Sequence, residues 1–375
     1  MNVSRSRFEF SWAPYIKNRL VVFAFSMAIV SLFHIETSSS EVTEKMALNN
    51  ARKNLITPEV LDQMEKLPGD LGPLPPVPVP ADNPQSDAKI ELGKMLFFDK
   101  RLSFDKSMSC ATCHDPAKGY SDGLPLSIGL GKMALGRHSP TLLNAAYNST
   151  QLWDGRVSAL EEGAQYMIES PDAMNLKRRE LADRLNKVPE YKKRFQKVFG
   201  KEANIENVAK AIASFERTLV TSDAPFDRYM LGDKHALTNE EKRGLALFVG
   251  KAVCSKCHSG PNFTDNQFHS LGVSQEGADL GRYSVTKEEK DKWRFRTTPL
   301  RNLTQTAPYM HNGSIETLEG VINFYHRGGG SNRFNKSPNM IKLHLTNQEK
   351  KELVSFLKAL DGKTPAISMP ELPRD

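Results

Sequence analysis

The chain contains four cysteines, and all of them fall in two short motifs of identical spacing. Each motif has the form Cys-x-x-Cys-His, and the residues are Cys110, Cys113 and His114, then Cys254, Cys257 and His258. This spacing is typical of covalent attachment of c-type haem, with two thioether bonds and a histidine that ligates the iron. Zinc knuckles and redox dithiols use similar cysteine pairs. The histidine that directly follows both pairs, together with an export signal, favours two covalent haems.

Residues 1–40 predict export. Basic residues precede a fourteen-residue apolar stretch from Leu20 to Phe33, and a run of serines follows it. A membrane span needs about 20 apolar residues, so the stretch is typical of a secretory signal. We interpret residues 1–40 as a signal peptide or, because no clear cleavage site follows, as an N-terminal anchor. The mature protein is then periplasmic and meets a membrane only if the signal stays uncleaved.

The composition is that of a globular protein, with 39% hydrophobic and 25% charged residues. These values exclude a disordered chain and a polytopic membrane protein. Lys and Arg exceed Asp and Glu by 51 to 44, but the excess is spread along the chain. No basic block of the kind that binds nucleic acid is present, so no nucleic-acid partner is expected.

The elements that must position the two motifs are predicted to be mostly helical. A proline-rich segment over 68–84 favours an extended stretch on the surface of the first domain. Apolar spacings of three and four predict helices from residue 88 and over 159–168, 176–199, 204–220 and 315–326. Capping boxes at Thr238 and Thr346 predict two further helix starts, and residues 222–233 predict a connection. The predicted fold is mostly α, with two cytochrome c-like haem domains in tandem and long loops, over residues 85–232 and 233–375.

Between about residues 70 and 362 the chain resembles the bacterial dihaem cytochrome c peroxidases and the MauG-type dihaem enzymes. The motifs that carry the resemblance include "LGKMLFFDKRLSFDKSMSCATCHDPAKGYSDGLPLSIGLG", "LWDGR", "GLALFVGKAVCSKCHSGPNFTDNQFH" and "FRTTPLRNLTQTAPYMHNGSIETLEGVINFY". The resemblance implies an N-terminal haem where peroxide reacts, a C-terminal haem that transfers electrons, and a calcium ion between the domains.

The resemblance also implies roles for two aromatic residues. Trp153 matches the tryptophan that lies between the haems, although a tryptophan here could equally be a core residue. Tyr325 stands where the peroxidases place an axial methionine on the second iron, as in MauG-type enzymes. The alternative is that Tyr325 merely continues the apolar stripe of its helix.

The first haem is expected to be open on one side. Leu130 occupies the position of the distal histidine of the peroxidases, and in that loop only His138 or, more weakly, Met133 could ligate iron instead.

The first haem also lacks the usual peroxide-cleaving residues. Ala173 aligns with the glutamate of the family, and Gly163 with the glutamine of its pocket. Asp172 and Glu169 are neighbouring carboxylates that could move the proton during peroxide cleavage. Gln165 could supply the missing amide.

The calcium site is expected to be altered. The carbonyls of Thr306 and Pro308 match the family motif, but His138 replaces the usual asparagine, and calcium prefers oxygen ligands. His311 matches a family histidine near the second haem.

The resemblance implies an exported dihaem oxidoreductase that uses hydrogen peroxide to form high-valent haem and oxidises a partner protein, as MauG does. One alternative is a cytochrome c peroxidase that takes electrons from a small cytochrome or a cupredoxin. An alternative of another class is a dihaem electron carrier without enzymatic activity.

Overall fold

The computed structural model describes residues 70–274 and 279–374, and these residues are mostly helical, as predicted. The α-helices in this part of the chain are α1 (Asp87–Phe98), α2 (Cys110–Cys113), α3 (Leu160–Glu169), α4 (Arg178–Asn186), α5 (Pro189–Phe199), α6 (Ile205–Glu216), α7 (Pro225–Met230), α8 (Asn239–Val249), α9 (Tyr283–Thr286), α10 (Leu318–His326) and α11 (Asn347–Lys358). Short 3₁₀ turns cover Lys100–Leu102, Pro116–Lys118, Leu130–Lys132, Ala145–Tyr147, Cys254–Lys256, Glu289–Asp291 and Leu303–Gln305. Two short strands, β1 (Phe268–His269) and β2 (Phe295–Arg296), pair antiparallel. The predicted signal or anchor lies outside the described residues.

The two predicted capping boxes are present. The Thr238 side chain accepts from the backbone N–H of Glu241 at the start of α8, and the Glu241 carboxylate accepts from the backbone N–H of Thr238. Thr346 and Glu349 make the same reciprocal pair at the start of α11. Each pair satisfies amide groups that a helix start otherwise leaves without partners.

Two helix predictions were wrong in detail. The segment 176–199 is not continuous but divides into α4 and α5, because Pro189 cannot continue the ladder of helix hydrogen bonds. The predicted connection over 222–233 contains α7, which begins at Pro225, where proline is tolerated in a first helical turn.

Two hydrophobic cores organise the described residues. The first gathers the buried faces of α1, α3, α4, α5 and α6, and the second gathers those of α7, α8, α10 and α11. The first Cys-x-x-Cys-His motif contacts the first core through Cys110 and Cys113, and the second motif contacts the second core through Cys254. Each motif therefore has its own hydrophobic surroundings.

A glycine allows a close helix crossing in each core. A Cβ atom on Gly93 of α1 would lie 1.8 Å from the carbonyl oxygen of Ala211 in α6. A Cβ atom on Gly244 of α8 would lie 2.0 Å from the carbonyl oxygen of Glu352 in α11. Any side chain at either position would push the two helices apart. In both cores, therefore, the helix that precedes the motif packs against its neighbour through a glycine.

The proline-rich segment is not confined to the surface of the first domain, because it joins the second core and also forms a hydrogen bond to α3. Leu71 belongs to the second core, and Arg301 donates to the carbonyl of Gly72. Further along, Asn83 donates to Glu161 on α3. Residues 70–84 contain no helix or strand. Within residues 70–274 and 279–374, no helix has the length and apolar character needed to cross a membrane.

Candidate functional site

Two cavities each contain one Cys-x-x-Cys-His motif. The first has a volume of about 530 Å³ and is lined by Cys110, Cys113 and His114. The second has a volume of about 210 Å³ and is lined by Cys254, Cys257 and His258. The structure therefore brings the three predicted residues of each motif to the wall of a single cavity.

The backbone explains why each motif presents its three side chains together. In both motifs the histidine backbone N–H donates to the carbonyl of the first cysteine at 2.9 Å, which closes one helical turn. Residues that are three and four positions apart in a helical turn lie on the same side of it.

The two motif histidines are oriented identically. Nδ1 of His114 lies 3.0 Å from the carbonyl oxygen of Tyr120, and Nδ1 of His258 lies 3.0 Å from the carbonyl oxygen of Phe263. A carbonyl can only accept, so Nδ1 must carry the proton, and Nε2 is left with a free lone pair. Burial lowers the pKa of both imidazoles and favours the neutral form that ligates metals. In histidines that ligate a metal, the other ring nitrogen typically donates its proton to a carbonyl or a carboxylate, as Nδ1 does here.

The geometry disfavours the zinc alternative. Tetrahedral zinc requires its sulfur and nitrogen ligands to converge on one point. In the described residues, neither motif brings its two thiols and its imidazole within 4.8 Å of one another. Among the residues that the structure describes, such a cluster forms only from Cys257, Asp265 and His269, which include a single cysteine. The spread of the ligands around a large apolar cavity instead fits a porphyrin.

The first cavity is lined by the small residues that we aligned from the sequence with the peroxide-cleaving groups of the family. Gly163, Ala173 and Asp172 line this cavity, and Ala173 is buried while Asp172 is exposed. Glu169 does not line it, because its carboxylate accepts from the guanidinium of Arg178 at 2.7 and 2.9 Å. Of the two predicted carboxylates, only Asp172 can therefore reach the first cavity in this arrangement.

The loop beyond the first motif offers no free ligand at the predicted position. Leu130 is not part of the cavity lining, and Met133 is 54% exposed. His138 lies at the cavity wall, but its Nδ1 is 2.7 Å from the carbonyl oxygen of Leu124 and its Nε2 is 3.3 Å from the hydroxyl of Ser121. Three methionines that the sequence did not single out line this cavity, and their thioethers are of a type that ligates haem: Met108, Met167 and Met174.

Tyr325 of α10 lines the second cavity together with the second motif. Its hydroxyl makes no hydrogen bond within the described part of the chain, whereas Tyr309, on the same cavity, donates to the carbonyl of Leu303 at 3.0 Å. Burial raises the pKa of Tyr325, and the nearby Cys254 and Cys257 raise it further. His326 is directed elsewhere, since its Nδ1 accepts from the backbone N–H of Leu345. Tyr325 is thus the tyrosine with a free oxygen at this cavity.

Trp153 lies between the two cavities and lines both. Its indole N–H donates to the carbonyl of His138 at 2.7 Å, and its ring meets that of His311 edge to face at 6.3 Å. The ring is therefore held in one orientation at the wall that the cavities share.

Arg296 also lines both cavities, and the sequence analysis overlooked it because arginine is usually a surface residue. It is 5% exposed and donates to the backbone carbonyls of Leu152 and Thr297, with no carboxylate partner in the described part of the chain. Burial lowers the pKa of this guanidinium to about 10. A buried cation without a counter-ion is costly. The propionate groups of a haem are anions that would neutralise it, so the residues present fit this cofactor.

The predicted calcium ligands do not form a complete site. Thr306 and Pro308 line the second cavity. No acidic cluster accompanies them in the described residues, and both ring nitrogens of His138 already have partners. Calcium usually takes several oxygen ligands, including carboxylates, so this donor set does not fit it.

Comparisons with known proteins agree with this geometry. A family model described as di-haem cytochrome c peroxidase matches residues 87–235. The methylamine utilization protein MauG of Methylorubrum extorquens is 43% identical over 301 residues, which cover 79% of this chain and 85% of that protein. The cytochrome-c peroxidase IdrP1 of Pseudomonas sp. (strain SCT) is 44% identical over 330 residues, which cover 79% of this chain and 87% of that protein. A crystal structure of a MauG-like protein associated with microbial copper homeostasis is 31% identical, with a TM-score of 0.72 over 79% of this chain and 95% of that one.

Proposed function

Because this chain belongs to the di-haem cytochrome c peroxidase and MauG family, we propose that it is a MauG-like enzyme that uses hydrogen peroxide to oxidise a partner protein. Membership of the family makes it a haem oxidoreductase of the peroxidase type, with haem c as cofactor. The observation that carries the finer proposal is the free hydroxyl of Tyr325 in the second cavity. Methionine as an axial ligand raises the reduction potential, whereas a phenolate oxygen favours oxidised iron.

Each half of the chain has its own task in this proposal. We assign residues 85–232 to the domain that meets peroxide and residues 233–375 to the domain that transfers electrons, while α7, near the end of the first range, packs into the second core. Haem c, when bound, supplies the iron that reduces peroxide and stores the oxidising equivalents. His114 and His258 would hold the two irons through Nε2, because their Nδ1 protons are held by backbone carbonyls.

The remaining residues of the site position groups and move a proton. Leu130 would supply no ligand to the first iron, and Asp172 would donate or accept the proton that peroxide cleavage requires. Trp153 connects the two cavities. Arg296 would neutralise a propionate.

The partners follow from this chemistry. Hydrogen peroxide is the oxidant, and the periplasmic protein that is to be modified supplies the electrons. In the cytochrome c peroxidase alternative, a redox partner supplies them instead, either a small cytochrome or a cupredoxin. A purely electron-carrying protein would not react with peroxide, so optical spectra before and after one equivalent of peroxide separate it from both enzymes.

The ligand role of Tyr325 is tested by Tyr325→Phe in the haem-loaded protein. We expect the parent to bind cyanide at one iron and the variant to bind it at both, because the variant loses the oxygen ligand and opens the second iron. The ferric optical spectrum and a cyanide titration measure this change. Tyr309→Phe is the matched control, since Tyr309 lines the same cavity but its hydroxyl is already bonded to Leu303.

An identical ferric spectrum in the parent and in Tyr325→Phe would show that this tyrosine only packs. A parent that binds no cyanide would show that both irons carry two protein ligands. In that case one of the three cavity methionines becomes the candidate ligand of the first iron.

The propionate role of Arg296 predicts a loss of stability in the haem-loaded protein. Arg296→Gln should lower the free energy of unfolding by about 1.5–3 kcal/mol, the usual contribution of a hydrogen bond to a charged group. It should also lower the reduction potential of at least one haem, because the positive charge that stabilises the reduced state is gone. Denaturant unfolding and a redox titration measure the two effects. Arg294→Gln, at a residue that lines neither cavity, should leave both potentials unchanged, and equal behaviour of the two variants would contradict the assignment.

A further inference from the structure

The positive charge of the chain is concentrated in one segment that the proposed function does not use. Residues 177–201, which comprise α4 and α5, contain ten Lys and Arg residues against three Asp and Glu residues. This excess of seven equals that of the whole chain, 51 against 44, so the excess is not spread evenly along the chain, as we expected from the composition. None of these residues lines either cavity. The segment therefore has no direct part in the chemistry of the cavities.

The helix α5 presents this charge to solvent because its apolar side faces the first core. Tyr191 and Phe195 of α5 are buried in that core. Residues two positions further along a helix lie on its opposite side, because one turn takes 3.6 residues. Lys193 and Lys197 therefore point away from the core, and both are exposed.

The arginines and the lysines of this segment differ in their partners. The arginines form ion pairs with nearby carboxylates: Arg178 with Glu169, Arg179 with Asp183, Arg184 with Glu180 and Arg194 with Glu190. Among the lysines, five are exposed and form no ion pair within the described part of the chain: Lys177, Lys187, Lys193, Lys197 and Lys201. Like charges four positions apart on a helix, such as those of Lys193 and Lys197, destabilise it unless an anion lies against them.

An exposed aromatic residue borders the same segment. Phe104 is 52% exposed, and its backbone carbonyl accepts from the guanidinium of Arg184 on α4 at 2.6 Å. Two further exposed lysines, Lys100 and Lys106, lie close to it in the sequence. An exposed ring among lysines is typical of proteins that bind the surface of a bilayer, because the ring enters the headgroup region while the lysines meet anionic lipids.

The type of cation favours a lipid surface over other anionic partners. Lysine has one compact charge on a flexible stem and lacks the rigid fork with which arginine binds a carboxylate or a phosphate at a fixed position. Protein–protein interfaces are accordingly enriched in arginine and depleted in lysine. A bilayer presents many mobile anionic headgroups without a fixed geometry, which suits unpaired lysines.

We propose that residues 177–201, together with Phe104, bind this protein to the surface of a bilayer that contains anionic phospholipids. This inference goes beyond the proposed function and does not depend on it. The attraction between exposed charges and the headgroups is screened beyond about 8 Å at physiological ionic strength, so the lysines must lie directly against the bilayer. Such a contact holds an exported protein at the membrane through charge and one aromatic ring, and high salt releases it.

The proposal is tested by sedimentation of the haem-loaded protein with lipid vesicles, made either of phosphatidylcholine alone or of equal parts phosphatidylcholine and phosphatidylglycerol. We expect the parent to bind the anionic vesicles at least about tenfold more strongly than the neutral ones, and 1 M salt to remove this difference. Lys193→Gln/Lys197→Gln should weaken binding to the anionic vesicles by about 25-fold, or about fivefold for each lysine. Phe104→Ser should weaken it by about tenfold, because the ring no longer enters the headgroup region.

Lys351→Gln/Lys358→Gln on α11 is the matched control. It removes the same charge from two exposed lysines of one helix, outside the basic segment. We expect it to change binding to the anionic vesicles by less than about twofold. The haem spectrum and its response to peroxide should be the same in all of these proteins, since none of the altered residues lines a cavity.

Three results would overturn the proposal. Equal binding of the parent to neutral and anionic vesicles would assign the membrane contact to the predicted N-terminal anchor. Equal losses in the two double lysine variants would show that net charge, and not this segment, governs binding. A parent that does not bind anionic vesicles but binds polyglutamate would make an acidic protein the partner of this segment. The response to peroxide, measured on the same samples, tests the proposed function separately.

Discussion

Replacing both cysteines of one motif by alanine should remove one of the two covalent haems. In Cys254→Ala/Cys257→Ala, neither thioether can form at the second cavity, so the intact mass should fall by the mass of one haem. Cys110→Ala/Cys113→Ala should give the same loss at the first cavity. Each half should also lose the group that fills its cavity, about 530 Å³ in the first case. We therefore expect the altered half to unfold or to become susceptible to proteolysis.

The two double variants serve as controls for each other. Because each motif has its own hydrophobic core, the haem of the unaltered half should keep its absorption spectrum. Mass spectrometry of the exported protein counts the haems directly. A parent with one haem or none would contradict the attachment of haem at both motifs, and a double variant that still has two would contradict the role of its cysteines.

Much of the fold could be predicted from the sequence because local signals determine it. The capping boxes at Thr238 and Thr346 define helix starts through contacts between residues three positions apart. The periodicity of apolar residues located α3, α6 and α10 to within a few residues, but it did not predict the break between α4 and α5 at Pro189. The helix crossings at Gly93 and Gly244 depend on residues more than 100 positions away, and no local sequence pattern predicts them.

In the candidate site, too, some residues could be predicted from local sequence and others could not. The two Cys-x-x-Cys-His motifs could be found from the sequence because each is contiguous, and the structure places each set at one cavity wall. That these residues attach haem stays a prediction. Arg296 could not be predicted, because its importance comes from the lack of a carboxylate partner in the described residues and from cavities that only the folded chain creates. Likewise, the sequence could not separate Asp172 from Glu169. The ion pair between Glu169 and Arg178 does so.

The different positions of Asp172 and Glu169 lead to a prediction about peroxide cleavage. Asp172→Asn should slow the reaction of the first haem with peroxide by about 10²–10⁴-fold, the usual contribution of general acid–base catalysis. Glu169→Gln is the matched control and should leave the rate near that of the parent, because this carboxylate is bound to Arg178 outside the cavity. Stopped-flow spectra after mixing with peroxide measure the rates, and the resting spectrum should be the same in all three proteins.

Adding a carboxyl group to the first cavity tests the same proton transfer. Ala173 is buried at the wall of the first cavity, at the position where the family has a glutamate. Ala173→Glu should place a carboxyl group inside the cavity and raise the rate of reaction with peroxide, by up to about 10²-fold. The gain should persist in Ala173→Glu/Asp172→Asn if the new carboxyl takes over the proton transfer. Glu216 is a second, buried carboxyl group that lines this cavity. If neither Asp172→Asn nor Glu216→Gln slows the reaction and Ala173→Glu gives no gain, the first cavity is not built to cleave peroxide. The electron-carrier alternative would then explain the two cavities better, since electron transfer needs the haems, Trp153 and Arg296 but no proton donor.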